Sequence, residues 1–268
     1  KSLDTGVTVD VGESSVPAGF DAFIDCTGDQ AGEAPGSKLD VTVGAEPITC
    51  TVTNKRKPRV KVTKLLAPTT DPGKFDLQVD GQTVANDVGH QGTTGFVTVP
   101  VGGVTVGEVD GAGTSVADYR AQVACGAKGD AAAGATSHSF PIAYGDQVEC
   151  TITNTRRTGT IEVGKVYRTP EGQQAPSPYA SVALKVDGTT KATAPAQSTT
   201  GPVPVNTGLH GASEAFVDAS DADLYTSTGV CRSGEQTLGT VAADGRSVTG
   251  VQVGDGDQVV CTFTNTRK

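Results

Sequence analysis

The sequence predicts an all-β chain of tandem small β-sandwiches arranged as a rod, and three observations predict it. One closing motif recurs three times, cysteines come as one pair per recurrence, and apolar residues alternate with polar ones along strand-like runs.

At 268 residues the chain is long enough for two or three ordinary domains. Aromatics make up only 4% and there is no Met or Trp, so several small cores of Val, Ile, Leu and Ala are expected in place of one large core. The 35 glycines, with abundant Thr, Val, Asp and Ser, suit short strands joined by tight turns. Nothing has the pattern of a long amphipathic helix capped at both ends. The net charge of −9 argues against a nucleic-acid partner, because phosphate contacts need a concentrated basic face. No apolar run approaches the roughly 18 to 20 residues needed to span a bilayer. Neither a signal peptide nor a C-terminal sorting signal is recognisable, and the sequence reads as an interior piece of something longer.

The closing motif is Cys50-Thr51-Val52-Thr53-Asn54, then Cys150-Thr151-Ile152-Thr153-Asn154, then Cys261-Thr262-Phe263-Thr264-Asn265. Each copy is followed by basic residues: Lys55-Arg56-Lys57, Arg156-Arg157 and Arg267-Lys268. The terminal asparagines are 100 and 111 residues apart, a length that suits a small sandwich. Two opening strands follow the first two closings, Val60-Lys61-Val62-Thr63-Lys64 and Ile161-Glu162-Val163-Gly164-Lys165. Boundaries are therefore expected near 57 and 157. Residues 1–57 read as the C-terminal part of an incomplete repeat, and 58–157 and 158–268 as complete ones. The linkers, Lys57-Pro58-Arg59 and Arg157-Thr158-Gly159, are short enough to imply a stiff succession. Their basic residues are read as solvated charges in preference to a binding feature.

Cys26 with Cys50, Cys125 with Cys150 and Cys231 with Cys261 lie 24, 25 and 30 residues apart. One recurring pair per repeat reads as one disulfide per repeat, and hence as an oxidising, extracellular setting. The competing reading is a metal. Zinc spacings such as Cys-x-x-Cys are missing and His90, His138 and His210 are scattered, so neither a metal nor a cofactor is expected.

Residues i, i+2 and i+4 of a strand share a face. Val60, Val62 and Lys64 therefore point the same way, as do Ile161, Val163 and Lys165. Cys150, Ile152 and Asn154 share a face, as do Cys261, Phe263 and Asn265. A third polar member lies mid-repeat: Glu13 after Val9 and Val11, Glu108 after Val104 and Val106, and Glu214 between Ala212 and Phe216. Glu108 and Glu214 each precede the first cysteine of their repeat by 17 residues, so their registers agree. An unpaired charge on a core face costs several kcal/mol, so these groups are expected to meet. Two readings follow: a structural polar cluster at the edge of the core, or a self-catalysed isopeptide bond between the Lys and the Asn, assisted by the Glu. In residues 1–57 Glu13 and Asn54 are present without a matching lysine, for which Lys1 is a poor substitute.

This pattern resembles the Cna B-type, prealbumin-like (transthyretin-like) domains of Gram-positive surface adhesins and pilins. The resemblance rests on the opening V-x-V-x-K at Val60 to Lys64, the closing T-I-T-N at Thr151 to Asn154, and Glu13-Ser14-Ser15-Val16-Pro17-Ala18-Gly19-Phe20, which is similar to the family's E-x-x-x-P-x-G-[YF] segment. That last form is lost after Glu108 and Glu214, and paired cysteines are not general in the family. The resemblance implies an isopeptide between a first-strand Lys and a last-strand Asn with help from a central Glu: Lys64, Glu108 and Asn154, and then Lys165, Glu214 and Asn265. It also implies a bacterial cell-surface or extracellular location and a stalk or filament shaft. The partners would be neighbouring repeats and other copies of the chain.

The alternative function is an adhesin module whose loops, such as 131–138 and 171–180, recognise a host protein or a glycan. An enzyme acting on external substrates is disfavoured, since no G-x-S-x-G, H-E-x-x-H or Walker pattern occurs. The acidic run at 218–223 lacks the glycine and downstream Glu of an EF-hand loop and reads as a solvated loop.

Overall fold

The computed structural model describes residues 4–27, 33–175, 180–194 and 197–268. Strands account for 60% of it and helix for 5%. Among the described residues the helix is confined to short 3-10 turns, none long and apolar enough to cross a membrane. The chain divides into two compact units, Lys1–Thr155 and Arg156–Lys268.

The first unit opens with β1 (Thr8–Gly12), β2 (Phe20–Cys26), β3 (Glu33–Pro35), β4 (Lys38–Thr42) and β5 (Cys50–Arg56). β1 pairs with β4, and β2 lies between β3 and β5. It continues with β6 (Arg59–Ala67), β7 (Phe75–Val79), β8 (Gln82–Val88), β9 (Val97–Thr98), β10 (Gly102–Asp110), β11 (Tyr119–Ala124), β12 (Ser137–Ile142) and β13 (Gln147–Arg156). These form two four-stranded sheets, in the orders β12-β10-β7-β8 and β11-β13-β6-β9. Val60, Val62, Leu77, Val104, Val106 and Ile152 fill the space between them. The alternation that predicted these faces is visible in β6, whose Val60, Val62, Lys64 and Leu66 are all buried while the residues between them are half-buried.

The second unit comprises β14 (Thr158–Arg168), β15 (Val182–Val186), β16 (Thr189–Ala194), β17 (Ser198–Thr199), β18 (Val203–Asn206), β19 (Gly208–Phe216), β20 (Tyr225–Ser233), β21 (Gln236–Leu238), β22 (Thr240–Val241), β23 (Ser247–Val253) and β24 (Gln258–Arg267). One sheet runs β17-β14-β24-β20-β21, with β18 also on β14; the other runs β16-β15-β19-β23-β22. Ile161, Val163, Leu184, Val251 and Phe263 lie in the core between them.

The pairing of the opening with the closing strand is parallel in both places, Val60↔Val148 through Ala67↔Thr155 and Thr160↔Gln258 through Arg168↔Thr266. Parallel neighbours cannot be joined by a tight turn, so the whole intervening sequence forms the crossover. The β7–β8 and β15–β16 hairpins, by contrast, turn on Asp80-Gly81 and Asp187-Gly188, with φ of 49° and 75° at both. Positive φ at two successive turn residues matches the right-handed twist of the strands and favours Asp-Gly.

Three expectations need correction. Thr158 and Gly159 do not form a linker but begin β14, where Gly159 pairs with Val205. A Cβ on Gly159 would lie 2.5 Å from a Val253 methyl, so the strand reaches this close only as glycine. His138, expected in a loop, lies in β12 opposite Val106. The acidic run is not a loop but a 3-10 turn, Ala219–Leu224, capped by the Asp218 carboxylate accepting from the Ser220 amide at 3.0 Å. No cluster of three or more candidate metal ligands occurs among the described residues. Of the loop expected at 171–180, residues 176–179 lie outside the described ones.

All three disulfides are formed: Cys26–Cys50, Cys125–Cys150 and Cys231–Cys261. Two join directly opposed residues of antiparallel strands, Cys26↔Cys50 on β2 and β5 and Cys231↔Cys261 on β20 and β24. Cys125 follows β11 and reaches Cys150 on β13. Closing a loop of this length contributes about 3 kcal/mol on the chain-entropy model. The paired substitution Cys125→Ala/Cys150→Ala should therefore lower stability by about that amount, seen as a lower guanidinium midpoint.

Candidate functional site

Among the described residues the fully buried polar or charged side chains are Lys64, Glu108, Asn154, Lys165, Glu214 and Asn265. They form two matching sets, one in each pair of facing sheets.

In the first set β6 carries Lys64 inward behind Val60 and Val62. Its Nζ lies 2.7 Å from Glu108 Oε2 and donates to the Ile152 carbonyl at 3.3 Å. Glu108 comes from β10, in the opposite sheet, so the contact bridges the two layers of the sandwich. Asn154 lies two residues beyond Ile152 on the same face of β13, and its carboxamide stands beside the Glu108 carboxyl without a hydrogen bond of regular geometry. Burial is the dominant influence on both charges. It lowers the Lys64 pKa to about 8 against the opposing pull of Glu108. It raises that of Glu108, against Lys64 and Asn154.

The second set repeats the first. Lys165 Nζ lies 2.6 Å from Glu214 Oε2 and donates to the Phe263 carbonyl at 3.3 Å. Lys165 stands opposite Phe263 across the parallel ladder, as Lys64 stands opposite Ile152. Burial lowers its pKa to about 8 as well. Asn265 is fully buried and its amide makes no regular hydrogen bond. A pKa near 8 leaves on the order of a tenth of an amine neutral at pH 7, against well under a thousandth for a solvated lysine. Each set thus holds a partly neutral amine and a carboxamide on adjoining strands, with a buried carboxyl facing them from the opposite sheet.

Of the aromatic residues around the lysines, only Phe216 was placed from the sequence, on the face of Glu214. Lys64 Nζ sits 4.3 Å from the centre of the Phe75 ring, and Lys165 Nζ 4.9 Å from that of Tyr167. Tyr119 packs edge-on against Phe75, and Tyr225 lies against both Tyr167 and Phe216. The Tyr119 hydroxyl donates to Asp71 at 2.7 Å, and the Tyr167 hydroxyl donates to the Ala180 carbonyl. Five of the twelve Phe and Tyr residues therefore gather at these two sites. A usable signal was present: Tyr119 and Tyr225 each precede the first cysteine of their pair by six residues, as Phe20 precedes Cys26.

In the first five strands Glu13 and Asn54 also meet, Asn54 Nδ2 donating to Glu13 Oε2 at 3.0 Å. Both are half-buried. Lys1 lies outside the described residues.

A family model described as a prealbumin-like fold domain, of the SpaA type, matches residues 60–156 and 175–267. The chain belongs to this family. The first matched stretch contains a complete set, Lys64, Glu108 and Asn154, whereas the second begins beyond Lys165. No curated protein sequence matches the chain. Among solved structures the chain is similar to the Bacillus anthracis TIE protein at 11% identity and a TM-score of 0.44, covering 97% of this chain and 51% of that one. It is similar to the pilus adhesin SpaC from Lactobacillus rhamnosus GG at 10% identity and a TM-score of 0.36, covering 98% and 43%. It is also similar to the T-13 major pilin of Streptococcus pyogenes, at 15% identity and a TM-score of 0.39, covering 80% and 98%. The chain spans about half the length of the first two.

The depressed lysine makes a pH prediction. In an Asn154→Ala variant Lys64 remains an amine, with a pKa of about 8 when folded and its ordinary 10.5 when unfolded. Between those values the unfolded state binds more protons, so stability should rise with pH across that window, by up to about 3 kcal/mol. Denaturant midpoints at the two ends of the window measure it. A Lys64→Met/Asn154→Ala double variant should lack the Lys64 contribution to the rise.

Proposed function

We propose that this chain is a structural stalk or shaft segment of an extracellular, cell-surface adhesin or filament. In this reading residues 58–157 and 158–268 are complete prealbumin-like repeats and 1–57 an incomplete one. Each is stapled by its disulfide, and the two complete repeats also by an isopeptide bond, Lys64–Asn154 and Lys165–Asn265. The observation that carries the reading is the burial of one Lys, one Glu and one Asn in each complete repeat, in a core otherwise apolar.

The chemistry follows from the environment. The neutral Lys amine attacks Asn Cγ, forming a C–N bond. The Glu carboxyl polarises the carboxamide, accepts a proton from the amine and returns one to the departing nitrogen. Ammonia leaves and an amide remains. Because the fold holds the reactants together, proximity supplies much of the rate.

The geometry gives the bond a mechanical meaning. β6 and β13 run parallel, so the chain enters the repeat at the Arg59–Gln147 end of the ladder and leaves at the Ala67–Thr155 end. Tension then loads the ladder in shear. A Lys64–Asn154 bond carries that load from β6 straight to β13, and residues 65–153 are bypassed. The second complete repeat has the same parallel arrangement. The role acts on no external substrate, and other copies of the chain and neighbouring repeats are its natural partners.

The test is the intact mass of the reduced, denatured chain. Wild type should be lighter than its sequence by two ammonia molecules, and Lys64→Ala and Lys165→Ala should each be short by only one. A full, unmodified mass would reduce the two sets to buried polar clusters and remove the mechanical argument.

A further inference from the structure

We propose that Thr94 and Thr200 are positioning residues for the two buried lysines: each clips the opening strand, two residues before the lysine, in the register from which the amine reaches the asparagine. The inference rests on the Lys–Asn reading above and adds to it the groups that aim the nucleophile.

Each opening strand has a full neighbour on one edge only. β6 pairs with β13 along its whole length, whereas on the other edge β9 reaches only Arg59 and Val60. Val62 falls between β9 and the isolated bridge of Thr63 with Thr93. In the second unit β14 pairs with β24 throughout, while its other edge is taken by β18 as far as Ile161 and by β17 from Gly164. Val163 lies in the gap between them. In both strands the gap comes two residues before the lysine, and a backbone amide there needs another acceptor.

One threonine closes each gap with two bonds. The Thr94 amide donates to the Val62 carbonyl at 3.0 Å, and the Val62 amide donates to the Thr94 hydroxyl at 3.0 Å. The Thr200 amide donates to the Val163 carbonyl at 2.9 Å, and the Val163 amide donates to the Thr200 hydroxyl at 3.0 Å. Each hydroxyl gives its own proton to the carbonyl of the next residue, Gly95 or Gly201, at 2.7 Å. The amides of those glycines donate in turn to the hydroxyls of Thr93 and Thr199. Both glycines have a φ of 65°, where the chain turns away from the strand and a side chain must take over its pairing.

The clip is kept where its surroundings are not. Thr94 follows Lys64 by 30 residues, whereas Thr200 follows Lys165 by 35. Beside Lys64 the edge is held by a turn, with the Lys64 amide on the Gly92 carbonyl and the Gln91 amide on the Lys64 carbonyl. Beside Lys165 it is held by β17, where Lys165 pairs with Ser198. Only the Thr-Thr-Gly bonding is common to the two. Val62 and Val163 point inward with their lysines, so fixing their backbone fixes where the flexible lysine stem begins. A slip of one residue would turn the lysine outward. A displacement of about 1 Å can cost on the order of a hundredfold in an oriented reaction. The two bonds of each hydroxyl go to the strand and to its own glycine, so its effect on the amine passes through the strand.

The test follows the loss of ammonia with time. Unreacted whole chain, joined by chemical ligation at its cysteines and held in urea, is diluted into oxidising buffer, sampled, reduced and weighed. Peptide mapping assigns each loss to its sandwich. Thr94→Val should slow the Lys64–Asn154 step on the order of ten- to a hundredfold and leave the Lys165–Asn265 step unchanged. Thr200→Val should do the reverse, and Thr94→Ser, which keeps the hydroxyl, should restore the wild-type rate. The disulfide of each sandwich, Cys125–Cys150 or Cys231–Cys261, mapped before reduction, reports that it has folded; if Thr94→Val does not form its disulfide, Thr200→Val decides. The pH dependence separates aim from burial. Loss of aim lowers the rate at every pH and leaves the midpoint near the folded lysine pKa of about 8, whereas water entering a loosened core would move it toward 10.5. An unchanged rate in the valine variants, a slowing that serine does not rescue, or a shifted midpoint overturns the positioning role. No ammonia loss from wild type overturns the Lys–Asn reading, and this inference with it.

Discussion

A lysine ammonium inside a β-sandwich is the constraint around which the rest of the structure is arranged. Stripped of water it is tolerated only beside an opposite charge or as a neutral amine, and this fold supplies both conditions. The compensating Glu must come from the facing sheet at the same depth, which couples the registers of the two layers. A one-residue slip of β6 or β10 would turn Lys64 or Glu108 outward and strand its partner in the core. The same coupling recurs between β14 and β19. Buried ion pairs are seldom more stabilising than apolar residues of similar volume. Their presence at the centre of two small cores therefore points to chemistry more than to stability.

The surrounding composition makes sense on these terms. With few aromatics and no Met or Trp, each sandwich has a thin core of Val, Ile and Leu. Small cores bury too little surface to be robust alone, and covalent cross-links offset the deficit. The scarce aromatic rings gather over the lysines, Phe75 over Lys64 and Tyr167 over Lys165. There they lower the local polarity on which the amine's depressed pKa depends.

Much of this was legible in the sequence because a strand repeats every two residues. The alternation in Val60 to Lys64 and in Cys150 to Asn154 assigns faces with no knowledge of the fold, and a Lys and an Asn on apolar faces are conspicuous. The parallel pairing of β6 with β13 was not legible, because partner choice is decided by the sandwich as a whole. The aromatic lids were missed because Phe75 and Tyr119 are far apart in sequence and meet only across the core. The linker reading of Thr158 and Gly159 failed for a local reason: both look like linker residues, yet they begin β14 and Gly159 is required for a close approach to Val253. Two signals went unused. Asp-Gly at 80–81 and 187–188 marks both hairpins. Thr-Thr-Gly at 93–95 and 199–201 marks the segments whose Thr94 and Thr200 hydroxyls accept from the Val62 and Val163 amides at 3.0 Å.

The disulfide and the proposed Lys–Asn bond converge on one strand in each of the two larger sandwiches, and their placement would separate their roles. β13 carries both Cys150 and Asn154, and β24 carries both Cys261 and Asn265. The disulfide ties the closing strand to its antiparallel neighbour, while the proposed Lys–Asn bond ties it to the parallel opening strand. Force entering at Arg59 and leaving after Thr155 would pass through the Lys–Asn bond and leave the disulfide unloaded. The disulfide restricts the unfolded chain and raises thermal stability whether or not the chain is pulled. The proposed Lys–Asn bond would govern extension, and it would be made from groups that no reductant attacks. A stalk with both would keep its length under tension in a reducing environment, whereas one with disulfides alone would hold its core together but yield once the shear ladder of β6 and β13 broke.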